Sequence, residues 1–402
     1  MNTVRTKRKL DIYEFLFIVA LTLKPFYLSK SGSMQLGDYV YMLLLGLFVI
    51  NGKVYFPSKL ERNWTLGFII LLCYQMVINL IWYFICLFQG YSFNLLRSIV
   101  FYVFNLLVCV TVFQMCVRVG YERLVRIYLI GTALSILVCL AGIAINWRGV
   151  GRVTGFFNNP NQLGYFSLLT MTIFVVFCND APKRITIIVL TVCTIMTVWS
   201  LSKAALIGSA VLLIAYSIIS HDGRYTKGLL LSIIMIIIVS VVIYLVMYSE
   251  SESLQQNYYV SKVRSQIFNM ANENDSDLGT GRGYDRIREI GVFVVTGVGQ
   301  GGYKRFTSIS GKELHSTFAS LIVNYGLIGL TGYAVLFSKA ALSHKRWVFN
   351  LLAMSGILLY SITHNGIRSS ILWTLLSMML LRQNSEKAYE RELFANRGYY
   401  IR

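Results

Sequence analysis

Twelve apolar windows partition this sequence: 12–28, 36–50, 65–88, 95–116, 124–146, 162–178, 185–200, 204–220, 228–248, 315–338, 348–363 and 367–381. A membrane-spanning helix needs about 20 predominantly apolar residues, and about 17 at the least. Most windows meet or approach that length, and one long polar stretch, 249–314, separates the ninth from the tenth. Charged residues make up 14% of the 402-residue chain and hydrophobic ones 56%, against about 25% charged in a soluble domain. The expectation is an all-α polytopic integral membrane protein with about 12 transmembrane helices. It forms a single transmembrane domain over 1–402, and 249–314 is a large extracytoplasmic loop with short helices.

Charge tests this division independently, because cytoplasmic loops accumulate Lys and Arg. With the N-terminus inside, the inner segments carry Lys53, Lys59 and Arg62, then Arg118, Arg123 and Arg126, then Lys183 and Arg184, then Arg224 and Lys227, then Lys339, Lys345 and Arg346. The basic stretch from Arg382 to Arg402 also falls inside. The short outer segments hold only Lys24, Lys30, Arg97, Arg148, Arg152, Lys203 and Arg368. Both termini are therefore expected in the cytoplasm. The net charge of +19 reads as topological, and no nucleic-acid partner is expected. Arg5, Lys7, Arg8 and Lys9 precede the first window without a small-residue cleavage site after it, so that window reads as an uncleaved span. The seven cysteines fall in or beside apolar windows with no metal or disulfide spacing.

No ionisable residue stands at the centre of a window, which argues against an ion-coupled carrier. There is no phosphate-binding Gly-Lys loop of the nucleotide-hydrolysing kind. The chemistry gathers on the outer segments instead. In the loop 146–164, Gly, Asn and Pro are dense enough for a tight, specific turn, and Asn158 or Asn161 is placed to cap the next helix. Positive-inside bias should deplete cations from this face. Arg97, Arg152, Lys203, Arg282, Arg286, Arg288, Lys304, Arg305 and Arg368 stand there, with His315 and His364. An anionic ligand is one reason, since Arg forks onto phosphate. Local pairing of Arg286 with Glu289 and of Asp285 with Arg288 is the competing reason. Residues 297–302, GVGQGG, read as a Gly-rich turn able to bring backbone N–H groups near a phosphate or sugar. His315 is open to two readings, an ordinary interfacial residue or a general base. His364, Asn365 and Arg368 form a smaller candidate set, and Asp275 and Asp277 read as a solvated pair.

Three blocks resemble the O-antigen polymerase and O-antigen ligase superfamily. They are GRVTGFFNNPNQLG at 151–164, TGR at 280–282 followed by GVGQG at 297–301, and HSTF at 315–318 followed by NYGLIG at 324–329. Their order and placement about the large outer loop agree with that family over roughly 145–335. Asn324 stands where many members carry Glu. The resemblance implies a metal-independent, cofactor-free, inverting glycosyltransferase in the bacterial inner membrane. Its donor is an oligosaccharide on polyprenyl diphosphate. Polymerases pass the glycan to another lipid-linked repeat unit, ligases to a final acceptor. Catalytic roles are expected for His315, Arg282 and Arg152. Substrate contacts are expected from Arg286, Arg288, Lys304, Arg305, Arg368, Arg97, Asn161, Tyr284 and Tyr303. The lipid bilayer, a chain-length regulator and a flippase are the expected partners. A repeat-unit polymerase is the leading expectation, a ligase the second, and a lipid-linked oligosaccharide flippase or carrier the alternative of another class.

Overall fold

The computed structural model describes residues 9–29, 34–52, 55–90, 97–146, 152–219, 261, 282–301, 314–342 and 347–382. All regular structure among them is helical. The helices are α1 (Ile12–Thr22), α2 (Leu36–Ile50), α3 (Lys59–Phe88), α4 (Arg97–Val119), α5 (Tyr121–Asn146), α6 (Pro160–Val176), α7 (Lys183–Ser200), α8 (Lys203–Ile219), the short α9 (Asp285–Glu289), α10 (Thr317–Ala341), α11 (Trp347–Thr363) and α12 (Ser370–Arg382). Every expected window among the described residues carries a helix. The window at 228–248 and most of the stretch 249–314 lie outside them. Five helices are long and apolar enough to cross a membrane: Lys59–Phe88, Ile99–Val119, Tyr121–Asn146, Lys183–Ser200 and Thr317–Ala341.

Two helices have no outward face. Every residue of α6 from Leu163 to Val176 is buried, as is every residue of α12 from Leu372 to Leu381. A helix apolar all round must be enclosed, and α12 is the axis of its half of the bundle. Trp373 stacks on Phe68 of α3 with centroids 4.6 Å apart. It also meets Trp64, Tyr333 and Phe337. Thr374 shares a hydrogen bond with Tyr41 of α2, and the Cys109 thiol of α4 donates to Trp373 O. The enclosing helices are apolar on both sides. On α3, Trp64, Phe68, Gln75, Asn79 and Trp82 face in while Leu66, Ile70, Val77, Phe84 and Phe88 face out. An apolar exterior of this kind belongs in lipid rather than water.

Polar contacts sort the helix ends into two sets. At one end Arg118 pairs with Asp11, Arg123 with Glu14, Asn51 with the Tyr13 hydroxyl, and Arg382 with Val176 O and Asp180. At the other end buried Lys24 bonds Asp38 and the Ser370 hydroxyl, and Asn158 donates to Ser29 O. The segments about Asn51, Arg118 and Arg123, Asp180 and Arg382, which charge assigns to the inner side, fall in the first set.

The tenth helix is broken. Gly326 sits inside it at φ 67°, ψ −173°. Breaking a helix in apolar surroundings exposes backbone groups that need partners. Residues 295–299 supply them: Val298 N donates to Val323 O, Gly299 N to Asn324 O, and Ile328 N to Val295 O. A Cβ at Gly326 would stand 2.1 Å from Val295 O, and one at Gly297 would stand 2.4 Å from Asn324 O.

Helices α8 and α11 cross at two glycines. A Cβ on Gly208 would lie 2.7 Å from Gly356 O, and one on Gly356 would lie 2.4 Å from Gly208 O. Small residues permit such approach between membrane helices. Gly208→Val and Gly356→Val should each cost about 1–3 kcal/mol through overpacking, read as a lower unfolding temperature in detergent. Gly46→Ala, with nothing within 4 Å of its added carbon, should leave that temperature unchanged or raised.

Candidate functional site

The end opposite Asp11 and Arg382 carries the site, and its first member is Arg152. The guanidinium Nε donates to Ser200 O at 2.9 Å and one terminal nitrogen donates to Asn161 Oδ1 at 2.7 Å. Both acceptors are products of local chemistry. Pro160 opens α6 and the Asn159 side chain caps it by accepting from Asn161 N. Of the two asparagines expected as caps, Asn158 instead reaches across to Ser29 O. Ser200 ends α7, and Leu201 follows in the left-handed conformation at φ 49°, uncommon for a residue with a side chain. That turn packs so tightly on α6 that a Cβ at Gly164 would stand 2.9 Å from Ser200 Oγ. The plane of the Arg152 guanidinium is thereby fixed.

A second group comes from the segment before α10. Ser316 caps that helix by accepting from Ala319 N, and its own N–H donates to Arg282 O. The Ser316 hydroxyl lies 2.8 Å from the Tyr284 hydroxyl, which donates to Ile362 O. Arg282 and His315 are tied in this way to the end of α11. Tyr284, an expected substrate contact, joins two segments through its hydroxyl. His315 is exposed and Arg282 half-buried.

The third element follows α11. His364 stacks on Tyr360 with centroids 4.7 Å apart, and Tyr360 stacks on Tyr165 of α6 at 4.4 Å. The Tyr360 hydroxyl donates to Asn161 O, closing a path back to Arg152. His364 Nδ1 lies 2.9 Å from Thr363 Oγ1, and His364 O accepts from Thr317 of α10. Gly366 has no room for a side chain, since its Cβ would fall 2.4 Å from the Tyr165 ring. Burial first, then the charges of Arg282, His315 and Arg152, push the His364 pKa down to about 4.

The segments that carry the three expected catalytic residues, Arg152, Arg282 and His315, are thus tied to the residues about His364 although they are separate in the chain. The other expected residues are placed differently. Asn161 belongs to this group through Arg152. Arg368 turns towards α4, bonding Tyr102 and lying 5.7 Å from the Phe101 ring. Arg97 is the first residue of α4. Arg286 is buried on α9, while Arg288 is exposed. Tyr303, Lys304 and Arg305 lie outside the described residues. The Gly-rich turn is not a phosphate cradle over 297–300, because its N–H groups donate to Phe293 O, Val323 O, Asn324 O and Asn79 Oδ1. Tyr360 and Ser200 were not singled out from sequence. Each sits inside or at the end of an apolar window, where nothing local marks it.

Chemically, this is a group of basic residues gathered at one end of the bundle. A guanidinium held like that of Arg152 suits phosphate oxygens, and a neutral imidazole at His364 adds no further charge. The depressed His364 pKa also has a sign. The fold prefers the neutral ring, so its contribution is complete above the unfolded value near 6.5. It is lost as pH falls towards about 4, by about 3 kcal/mol at most. Unfolding temperature should therefore drop between pH 6.5 and 4, and His364→Gln should flatten that part of the profile. No family model matches the chain, and no curated protein matches it.

Proposed function

We propose that this protein polymerises the repeat units of a bacterial surface polysaccharide, transferring a glycan from polyprenyl diphosphate to another lipid-linked unit at the outer face of the inner membrane. The observation that carries this reading is the set of contacts that ties Arg152, through Asn161 and Tyr360, and the segments of Arg282 and His315, through Ser316 and Thr317, to the residues about His364. The two guanidiniums of Arg152 and Arg282 carry like charges, which favour an anion between them. A diphosphate is such an anion.

In the proposed reaction the acceptor hydroxyl attacks the anomeric carbon from the face opposite the diphosphate. The new C–O bond forms as the bond to the diphosphate oxygen breaks, and the electron pair leaves with the diphosphate. Arg152 and Arg282 stabilise that developing charge. His315, exposed at the head of α10, takes the proton of the acceptor hydroxyl. Diphosphate is already a good leaving group, so charge stabilisation matters more than protonation. A ligase uses the same site with a different acceptor. A flippase would have no use for a base beside the cations.

Deleting the gene in its native host and sizing the extracted glycans separates these readings. Single repeat units are expected. Full-length chains stranded on the lipid carrier would mean a ligase, and an unchanged ladder would overturn both. Arg282→Ala and His315→Ala should each lower transfer by about 100-fold or more while the protein still inserts. Normal chains from either variant would remove the role given to that residue.

A further inference from the structure

Residues Ile290–Gln300 follow the site, yet they do not lie at the ends of the helices. Their partners are deep. Trp82 Nε1 donates to Gly297 O, and the Tyr74 hydroxyl donates to Thr296 O. Tyr74 is roughly 21 Å along α3 from its end at Phe88, at 1.5 Å per residue. On the other flank, Ile328 and Val323 bond Val295 and Val298 around the Gly326 break, roughly 14 Å in from the start of α10 at Thr317. Half of a hydrocarbon layer is about 15 Å thick. Both measures put Thr296 and Gly297 near its middle.

Irregular backbone at that depth survives only where protein satisfies it, and here it does. Beyond the bonds just named, Phe293 N donates to Ile290 O, Gly297 N to Phe293 O, Gly299 N to Asn324 O, and Gln300 N to Asn79 Oδ1. The side chains divide by face. Ile290 and Val298 pack inward with Ile78, Trp82, Leu314 and Val323. Val292, Phe293 and Val295 face outward, 83%, 38% and 49% exposed. The Phe293 ring is edge-on to Trp82 at 5.0 Å. The outward face therefore runs on from the exposed Phe84, Leu87 and Phe88 of α3.

We propose that Ile290–Gln300 is a re-entrant segment. It enters the apolar layer from the site end, turns near Thr296–Gly297 and presents Val292, Phe293 and Val295 to lipid acyl chains. Water is a poor occupant for three apolar side chains beside a lipid-facing helix. The expected loop 249–314 would then lie outside the membrane in part only. The inference stands whether or not the protein transfers glycans.

The test uses the full protein in phospholipid vesicles. Val292 and Val295 are each replaced by p-benzoylphenylalanine and irradiated with acyl-tagged phospholipid, with the lipid-facing position Ile70 as reference. Lipid adducts at 292 and 295 comparable with those at 70 are expected. Adducts to protein, or none, would overturn the proposal, the first by showing that this chain or a second copy covers the face. In parallel, Val292→Cys should resist a water-soluble maleimide that labels Glu289→Cys, an exposed position of α9, with the wild-type protein as baseline. Equal labelling of both variants would place the segment in water and overturn it as well.

Discussion

A helix cannot break in an apolar layer unless something else takes up its hydrogen bonds, and α10 breaks at Gly326. The remaining features near the site follow from how that debt is met. Residues 295–299 approach as a backbone partner, which requires glycine at 297 and 326, where any Cβ would collide with main chain. The approach in turn brings Arg282, Tyr284 and the head of α10 together, because the chain runs from the site into this pairing and the same helix begins at Ser316. The glycines that resemble a ligand-binding loop are thus first of all a joint between two pieces of backbone.

The candidate site rests on a different device. Two of the Arg152 hydrogen bonds go to uncharged acceptors, Ser200 O and Asn161 Oδ1, and the Arg282 carbonyl accepts from Ser316 N. Acceptors of this kind orient a guanidinium or fix a segment without adding charge of their own. His364, stacked on Tyr360 and kept neutral by its surroundings, sits among these charges without adding to them.

Much of this was legible in the sequence. Apolar length gave the helices, because a span must be both long and nearly uncharged. Lys and Arg alternation separated the two ends, and the contacts of Asp11, Glu14, Lys24 and Asp180 follow the same division. Arg152, Arg282 and His315 stood out as cations on a face that should lack them. What stayed hidden has physical causes. The run from Ile290 to Gly299 is apolar but too short for a span, so it reads as loop. A backbone break at Gly326 leaves no mark beyond a glycine, and α10 contains others at 329 and 332. Tyr360 and Ser200 gain meaning only from partners brought across from other helices. Arg368 and Arg286 share their residue type with the site but turn elsewhere, which charge counting does not separate.

The enclosure of α12 bears on how the molecule is built. Synthesis runs from the N-terminus, so α12 is made after every helix it packs against. Until then Phe68, Trp64, Tyr41 and Cys109 have no Trp373 or Thr374 to pack against. Before it is in place, the bundle lacks its centre. Its final architecture waits for the thirteen residues made last among those described, Ser370–Arg382, and the ring is completed from the inside.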